Sequence, residues 1–228
     1  MSPLLSGRLF GISFICTFIA YGTGSGLVEH ALSQGLLLIN EDPSLLIVGV
    51  ILMAFVHSVF NLMLAVTVLP LLKRGNDILA YAYFAAAIMA TTTLLIGALS
   101  YLALMPLSNA YLNADLVADP NQLALIEALE KMVTQTAFYA YHLGMAVWSM
   151  GGILLAWGLW RWRLVPKALS LWGLMGYFIF LIASLGELFG LSAGLYPAMV
   201  GGLFEISLSI WLIINGFNTY ALKSESEG

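Results

Sequence analysis

Charge is what this chain has least of. Its 228 residues include only 8 Lys or Arg and 12 Asp or Glu, 9% in all, where a soluble domain carries about 25%. So few charges cannot cover a water-facing surface, and with no basic stripe to hold phosphates, nucleic-acid binding is set aside. Cysteine is nearly missing as well: Cys16 stands alone in an apolar run, which excludes an intrachain disulfide. No two of the His and Glu residues show H-E-x-x-H or E-x-x-H spacing. No serine sits in a nucleophile elbow, and no Gly-rich loop follows a strand. No repeat of 20–50 residues is visible, and the first three apolar runs do not resemble the last three. That speaks against a transporter built by internal duplication.

Long apolar runs fill the chain instead. Crossing about 30 Å of hydrocarbon takes about 20 apolar helical residues. Six stretches reach that length: 9–29, 46–72, 78–105, 138–160, 168–189 and 198–217. The first follows Arg8 in the manner of a signal peptide, but it continues to Val28, beyond a signal core of about 7–15 residues. It is read as a retained span. Arg8, Lys73, Arg74, Arg161, Arg163, Lys167 and Lys223 fall in the tails and loops of one side. Lys131 alone lies on the other, among Glu41, Asp42, Asp115, Asp119, Glu127 and Glu130. Basic residues stay cytoplasmic, so both termini are expected inside. The expectation is an all-α bundle of six transmembrane helices, one integral membrane domain over 1–228, multi-pass in a bacterial cytoplasmic membrane.

Only the connection between the third and fourth spans is long. Asp119-Pro120 has the form of a helix start, with Asp as N-cap and Pro at the first helical position. Leu125, Leu129, Met132 and Val133 then recur at helical spacing. A short amphipathic helix on the outer surface fits this pattern, as does an extramembrane start of the fourth helix; the surface helix is the preferred reading. Gly22/Gly26, Gly151/Gly152 and Gly201/Gly202 read as helix contacts. The six tryptophans, most of them near the basic side, read as interface anchors.

Titratable side chains in hydrocarbon cost at least about 2.5 kcal/mol each, so those that persist face a partner or a cavity. At about 1.5 Å per residue, Glu29, His57, His142 and Glu187, counted from the basic anchors of their spans, and Glu205, counted from Asn218, lie roughly 20–31 Å from the cytoplasmic side. They therefore share a band about 10 Å deep in the outer half of five helices. Asn61 sits one turn from His57 and Tyr139 about one turn from His142, and both are expected to be buried with Glu205. A donor set of His and Glu suits zinc, iron or copper, which makes Glu29, His57, His142, Glu187 and Glu205 candidate metal ligands. His57 and His142 are in addition candidate ligands of a b-type haem. The alternative is that these groups pair with one another and with hydroxyls to join helices. Glu205 is the deepest acid: it either donates a hydrogen bond to a neighbour or is held ionised by a cation.

Four segments carry a family resemblance. They are Arg163-Leu-Val-Pro-Lys-Ala-Leu-Ser-Leu-Trp-Gly173, Glu205-Ile-Ser-Leu-Ser-Ile-Trp-Leu-Ile-Ile-Asn-Gly-Phe217, Arg8-Leu-Phe-Gly11 and Leu71-Leu-Lys-Arg74. With them the chain resembles the domain of unknown function 4386 (DUF4386) family of small bacterial polytopic membrane proteins. The resemblance implies six helices and a glutamate in the last span matching Glu205; it implies no activity, cofactor or substrate.

Three classes of function fit. The first is a non-enzymatic accessory subunit or ligand-binding or sensory membrane component, partnered by the bilayer and by a larger membrane complex or a second copy. The second is an intramembrane metal- or haem-binding redox protein or enzyme using His57, His142 and Glu205. The third is a small proton- or cation-coupled transporter acting as a dimer, with Glu205 and Glu187 as carriers. The lack of catalytic motif, tandem repeat or broken helix favours the first.

Overall fold

Side chains replace missing backbone partners where several helices begin. The computed structural model describes residues 2–117, 119–192 and 196–218, and its elements are α1 (Pro3–Gln34), α2 (Leu36–Glu41), α3 (Ser44–Val50), α4 (His57–Gly75), α5 (Asp77–Ser100), α6 (Leu104–Val117), α7 (Pro120–Arg161), α8 (Lys167–Leu188) and α9 (Tyr196–Asn215). Asn76 Oδ1 accepts the Leu79 N–H at 2.8 Å and starts α5. Asp119 Oδ1 accepts the Asn121 and Gln122 N–H groups at 3.0 and 3.4 Å, so Asp119 caps α7 and Pro120 opens it. Asp42 Oδ1 takes the Ser44 N–H at 3.0 Å. Ser44, through its side-chain hydroxyl first and this backbone N–H second, holds the Asp42 carboxyl below its ordinary range. Between α1 and α2 the chain turns at Gly35, whose φ of 83° suits a residue without Cβ.

All elements among the described residues are helical. Two depart from regular α geometry. Ile51–Val56 forms a π segment, and the His57 N–H reaches back five residues to the Leu52 carbonyl. Tyr101–Ala103 is a 3₁₀ turn. The latter has a cause in the sequence, because Pro106 has no N–H to offer the Leu102 carbonyl.

Five helices are long and apolar enough to cross a membrane: Pro3–Gln34, Ser44–Gly75, Asp77–Ala114, Pro120–Arg161 and Lys167–Leu188; Met199–Asn215 is a shorter apolar helix. They leave large apolar side chains uncovered, among them Ile19, Phe55, Val66, Met89 and Ile182, as suits a chain whose solvent is lipid. One correction concerns the connection before the fourth span. Residues 120–137 are not a separate surface helix but the first turns of α7, which runs unbroken for 42 residues. No Gly or Pro interrupts it between Asn121 and Leu143. Its buried stripe passes through Ile126, Val133, Ala137 and Ala140, whereas Leu125 and Met132 are exposed. Lys223, expected in a cytoplasmic tail, lies outside the described residues, and so does the side chain of Asp115.

The chain divides into two compact units. The first comprises residues 1–17, 59–91 and 142–228, and its core includes Phe10, Leu64, Tyr83, Leu155, Tyr177, Phe204 and Leu208. The second comprises residues 18–58 and 92–141, with a core of Val28, Ile39, Leu46, Met53, Leu104, Ile126 and Val133. Glycine lets backbones meet in both. A Cβ on Gly11 would meet the Ser209 carbonyl in the first unit, and one on Gly24 would stand 2.7 Å from the Gly49 carbonyl in the second.

Candidate functional site

Two polar features stand out, one in each unit. In the first unit Glu205 of α9 is 7% exposed and accepts two hydrogen bonds on one oxygen, Oε1. Trp148 of α7 donates its indole N–H at 3.0 Å and Tyr177 of α8 its hydroxyl at 2.8 Å. Tyr83 of α5, also buried, lies within electrostatic reach of Glu205, and its hydroxyl has no hydrogen-bond partner among the described residues. Glycine makes this arrangement fit. A Cβ on Gly152 would stand 2.5 Å from three ring atoms of Tyr177, so only glycine on α7 leaves room for that ring. Gly173 seats the Phe204 ring in the same way, and Phe204 meets Tyr177 edge to face at 5.6 Å. The carboxyl thus joins α7, α8 and α9 through neutral donors. One turn along, Ser209 Oγ donates to the Glu205 carbonyl at 2.7 Å. Asn61 is buried elsewhere in this unit, and its Nδ2 donates to Thr91 Oγ1 at 2.7 Å.

The second unit holds a cavity of about 680 Å³, within the size range of small-ligand sites, about 300–1,000 Å³. Helical spacing explains how its wall assembles. Tyr21, Ser25 and Glu29 follow one another at four-residue intervals along α1, with Gly22 and Gly26 beside them. From α7 come Thr134, Phe138 and Tyr141, and Tyr101 projects from the 3₁₀ turn. Ser25 Oγ donates to Glu29 Oε1 at 3.3 Å, and Tyr101 lies within electrostatic reach of Glu29. Tyr21 and Tyr141 approach with ring centroids 5.8 Å apart. The helix-contact reading of Gly22 and Gly26 is corrected here: a Cβ on either would meet nothing within 4 Å. Gly24, between them, makes the close backbone approach.

The five titratable residues singled out from sequence divide between the units. Glu29 and His57 belong to the second; His142, Glu187 and Glu205 belong to the first. His57 is buried against the edge of Tyr21, ring centroids 5.0 Å apart, and its Nδ1 has no hydrogen-bond partner among the described residues. Half-buried His142 and Glu187 interact electrostatically. Among the described residues no three His, Cys, Asp or Glu side chains gather closely enough to hold a metal ion, so the five do not form one donor cluster. Tyr139 is 47% exposed rather than buried, because the buried stripe of α7 passes through Ala137 and Ala140 on either side of it. Sequence reasoning missed Trp148, Tyr177 and Tyr83 as neighbours of Glu205, having read tryptophan as an interface anchor. A signal did exist: aromatic hydrogen-bond donors in the same apolar runs as paired glycines.

No curated protein and no solved structure matches the chain. One family model does: the domain of unknown function DUF4386 matches residues 9–216, nearly the whole of the described chain. The chain belongs to the DUF4386 family.

Proposed function

We propose that this membrane protein is a non-enzymatic, ligand-binding component, and that its ligand occupies the cavity of the second unit. The observation that carries the reading is the wall of that cavity. A carboxylate, several hydroxyls and aromatic rings line open space that Gly22 and Gly26 leave unfilled, so polar groups that can orient a small molecule stand among apolar surface. Glu205 has the opposite character, with its Oε1 already taken by two protein donors, and serves to join helices.

The proposed setting is a bacterial cytoplasmic membrane, crossed six times by one integral domain with both termini inside. The distribution of Lys and Arg supports this orientation, and reporter fusions at each loop test it. Lipid is the proposed partner of the exposed apolar residues. Cross-linking in native membranes then separates a lone chain from a homodimer or a subunit of a larger complex.

Native mass spectrometry of protein extracted from its own membranes tests the ligand. The expected result is a bound small molecule or lipid on the wild type that is lost in Gly26→Leu, whose side chain would fill the cavity. No adduct on the wild type, or an equal adduct on both, would contradict the reading.

A further inference from the structure

We propose that the cavity of the second unit selects an organic cation, a positively charged nitrogen carried on an apolar body. The inference rests on the ligand-binding reading above and names the class of ligand. Glu29 is the one charged side chain in the wall, and neither Lys nor Arg lines it among the described residues. An anion would meet a carboxylate with no cation to offset it, which costs affinity at close range. A metal ion would find one carboxylate and phenols, with no cluster of His, Cys, Asp or Glu donors and hence a poor ligand set. A neutral apolar molecule would leave Glu29 unused. That carboxylate has about four lone-pair sites and, among the described residues, receives one hydrogen bond, from Ser25 at 3.3 Å.

The rest of the wall suits a cation as well. Tyr21, Tyr101, Phe138 and Tyr141 line the same cavity, Tyr101 within electrostatic reach of Glu29, and aromatic rings attract ammonium groups through their quadrupole. Carboxylate and rings together recognise an alkylated ammonium, where the rings alone would recognise any apolar body. Gly22 and Gly26, on the same helix as Glu29, leave space beside it, since nothing stands within 4 Å of where their Cβ atoms would be. Such an ammonium has two sources, a free amine or the ethanolamine headgroup of a phospholipid, and the chemistry at Glu29 is the same for both.

Three isosteric probes separate charge from shape: benzyltrimethylammonium, its neutral carbon analogue neopentylbenzene, and the anion phenylmethanesulfonate. Their affinities are measured by calorimetry on the full chain in phosphatidylglycerol nanodiscs. The expected result is a preference of about tenfold or more for the cation over the neutral analogue, no measurable binding of the anion, and loss of the preference in Glu29→Gln. Glu29 is exposed, so that variant keeps its fold. Its thermal midpoint should match the wild type, and Tyr101→Leu should weaken the cation more than the neutral probe. Repeating the titration with phosphatidylethanolamine in the disc identifies the source. An unchanged cation affinity assigns the site to a free amine; a weakened one assigns it to the lipid headgroup. Equal affinity for cation and neutral probe, or tighter binding of the anion, overturns the cation inference and leaves the cavity a ligand site. If no probe binds while the native adduct persists, the inference again fails alone. If no probe binds and no adduct is found, the ligand-binding reading fails with it.

Discussion

In the unit that holds Glu205, glycine removes space: Gly152 and Gly173 bring the Tyr177 and Phe204 rings hard against neighbouring helices, and the carboxyl oxygen is taken by Trp148 and Tyr177. In the unit that holds Glu29, Gly22 and Gly26 leave space, and the carboxylate keeps room for a further partner. The same two residue types therefore build a joint in one place and a vacancy in the other. A glutamate in an apolar run is not by itself a site, since what decides is whether its neighbours close around it.

Identical substitutions should give opposite results in the two units. Gly152→Ala places a methyl group inside the Tyr177 ring contact and should cost about 1–3 kcal/mol. Gly26→Ala meets nothing and should leave the thermal midpoint unchanged or raise it slightly, since Ala is the better helix former by about 1 kcal/mol. Equal loss from both, measured as midpoints in one detergent or in nanodiscs, would erase the distinction.

Glu205→Leu is of comparable size. It strips the acceptor from two buried donors and should cost roughly 1–3 kcal/mol, whereas Glu205→Gln keeps an acceptor oxygen and should cost less. If both variants melted alike, the hydrogen bonds from Trp148 and Tyr177 would not be what holds the joint. Asn61→Leu removes a single neutral bond to Thr91 and should cost about 0.6–2 kcal/mol, read from the same melting curves.

The smallest effect is a pH dependence in the second unit. Hydrogen bonding from Ser44 depresses the Asp42 carboxyl. Its contribution is therefore present above the ordinary Asp range and disappears as pH falls through the lowered folded value. The midpoint difference between wild type and Asp42→Ala should shrink from pH 7 toward pH 3. A difference that stays constant with pH would show that the carboxylate charge does not matter there.

Much of this architecture was legible in hydropathy. The long apolar runs became helices, and Asp119-Pro120 marked the start of α7 because an acceptor side chain and a residue lacking N–H answer the same local need. The continuity of α7 was harder to see. A polar stretch with a sided apolar pattern fits a surface helix as well as the extension of a span, and only the lack of any breaker between Asn121 and Leu143 separated the two. The polar residues Asn61 and Glu205 stood out against their apolar surroundings, but their partners lie 28 to 57 positions away. Packing, which no local spacing encodes, chose them. The cavity was hidden for the same reason. Gly22 and Gly26 have the spacing of a helix contact, and whether another backbone fills the notch depends on the neighbouring helices.

Thiol accessibility tests the contrast between vacancy and joint most directly. With Cys16 replaced by Ala, Ser25→Cys in the cavity and Ser209→Cys beside Glu205 are exposed in turn to trimethylammonium and sulfonate methanethiosulfonates. The account predicts that Ser25→Cys reacts, that it favours the ammonium reagent beyond the preference of a free thiol, and that benzyltrimethylammonium protects it, while Ser209→Cys stays unlabelled. Equal labelling of the two positions, or a Ser25→Cys as inert as Ser209→Cys, would contradict it.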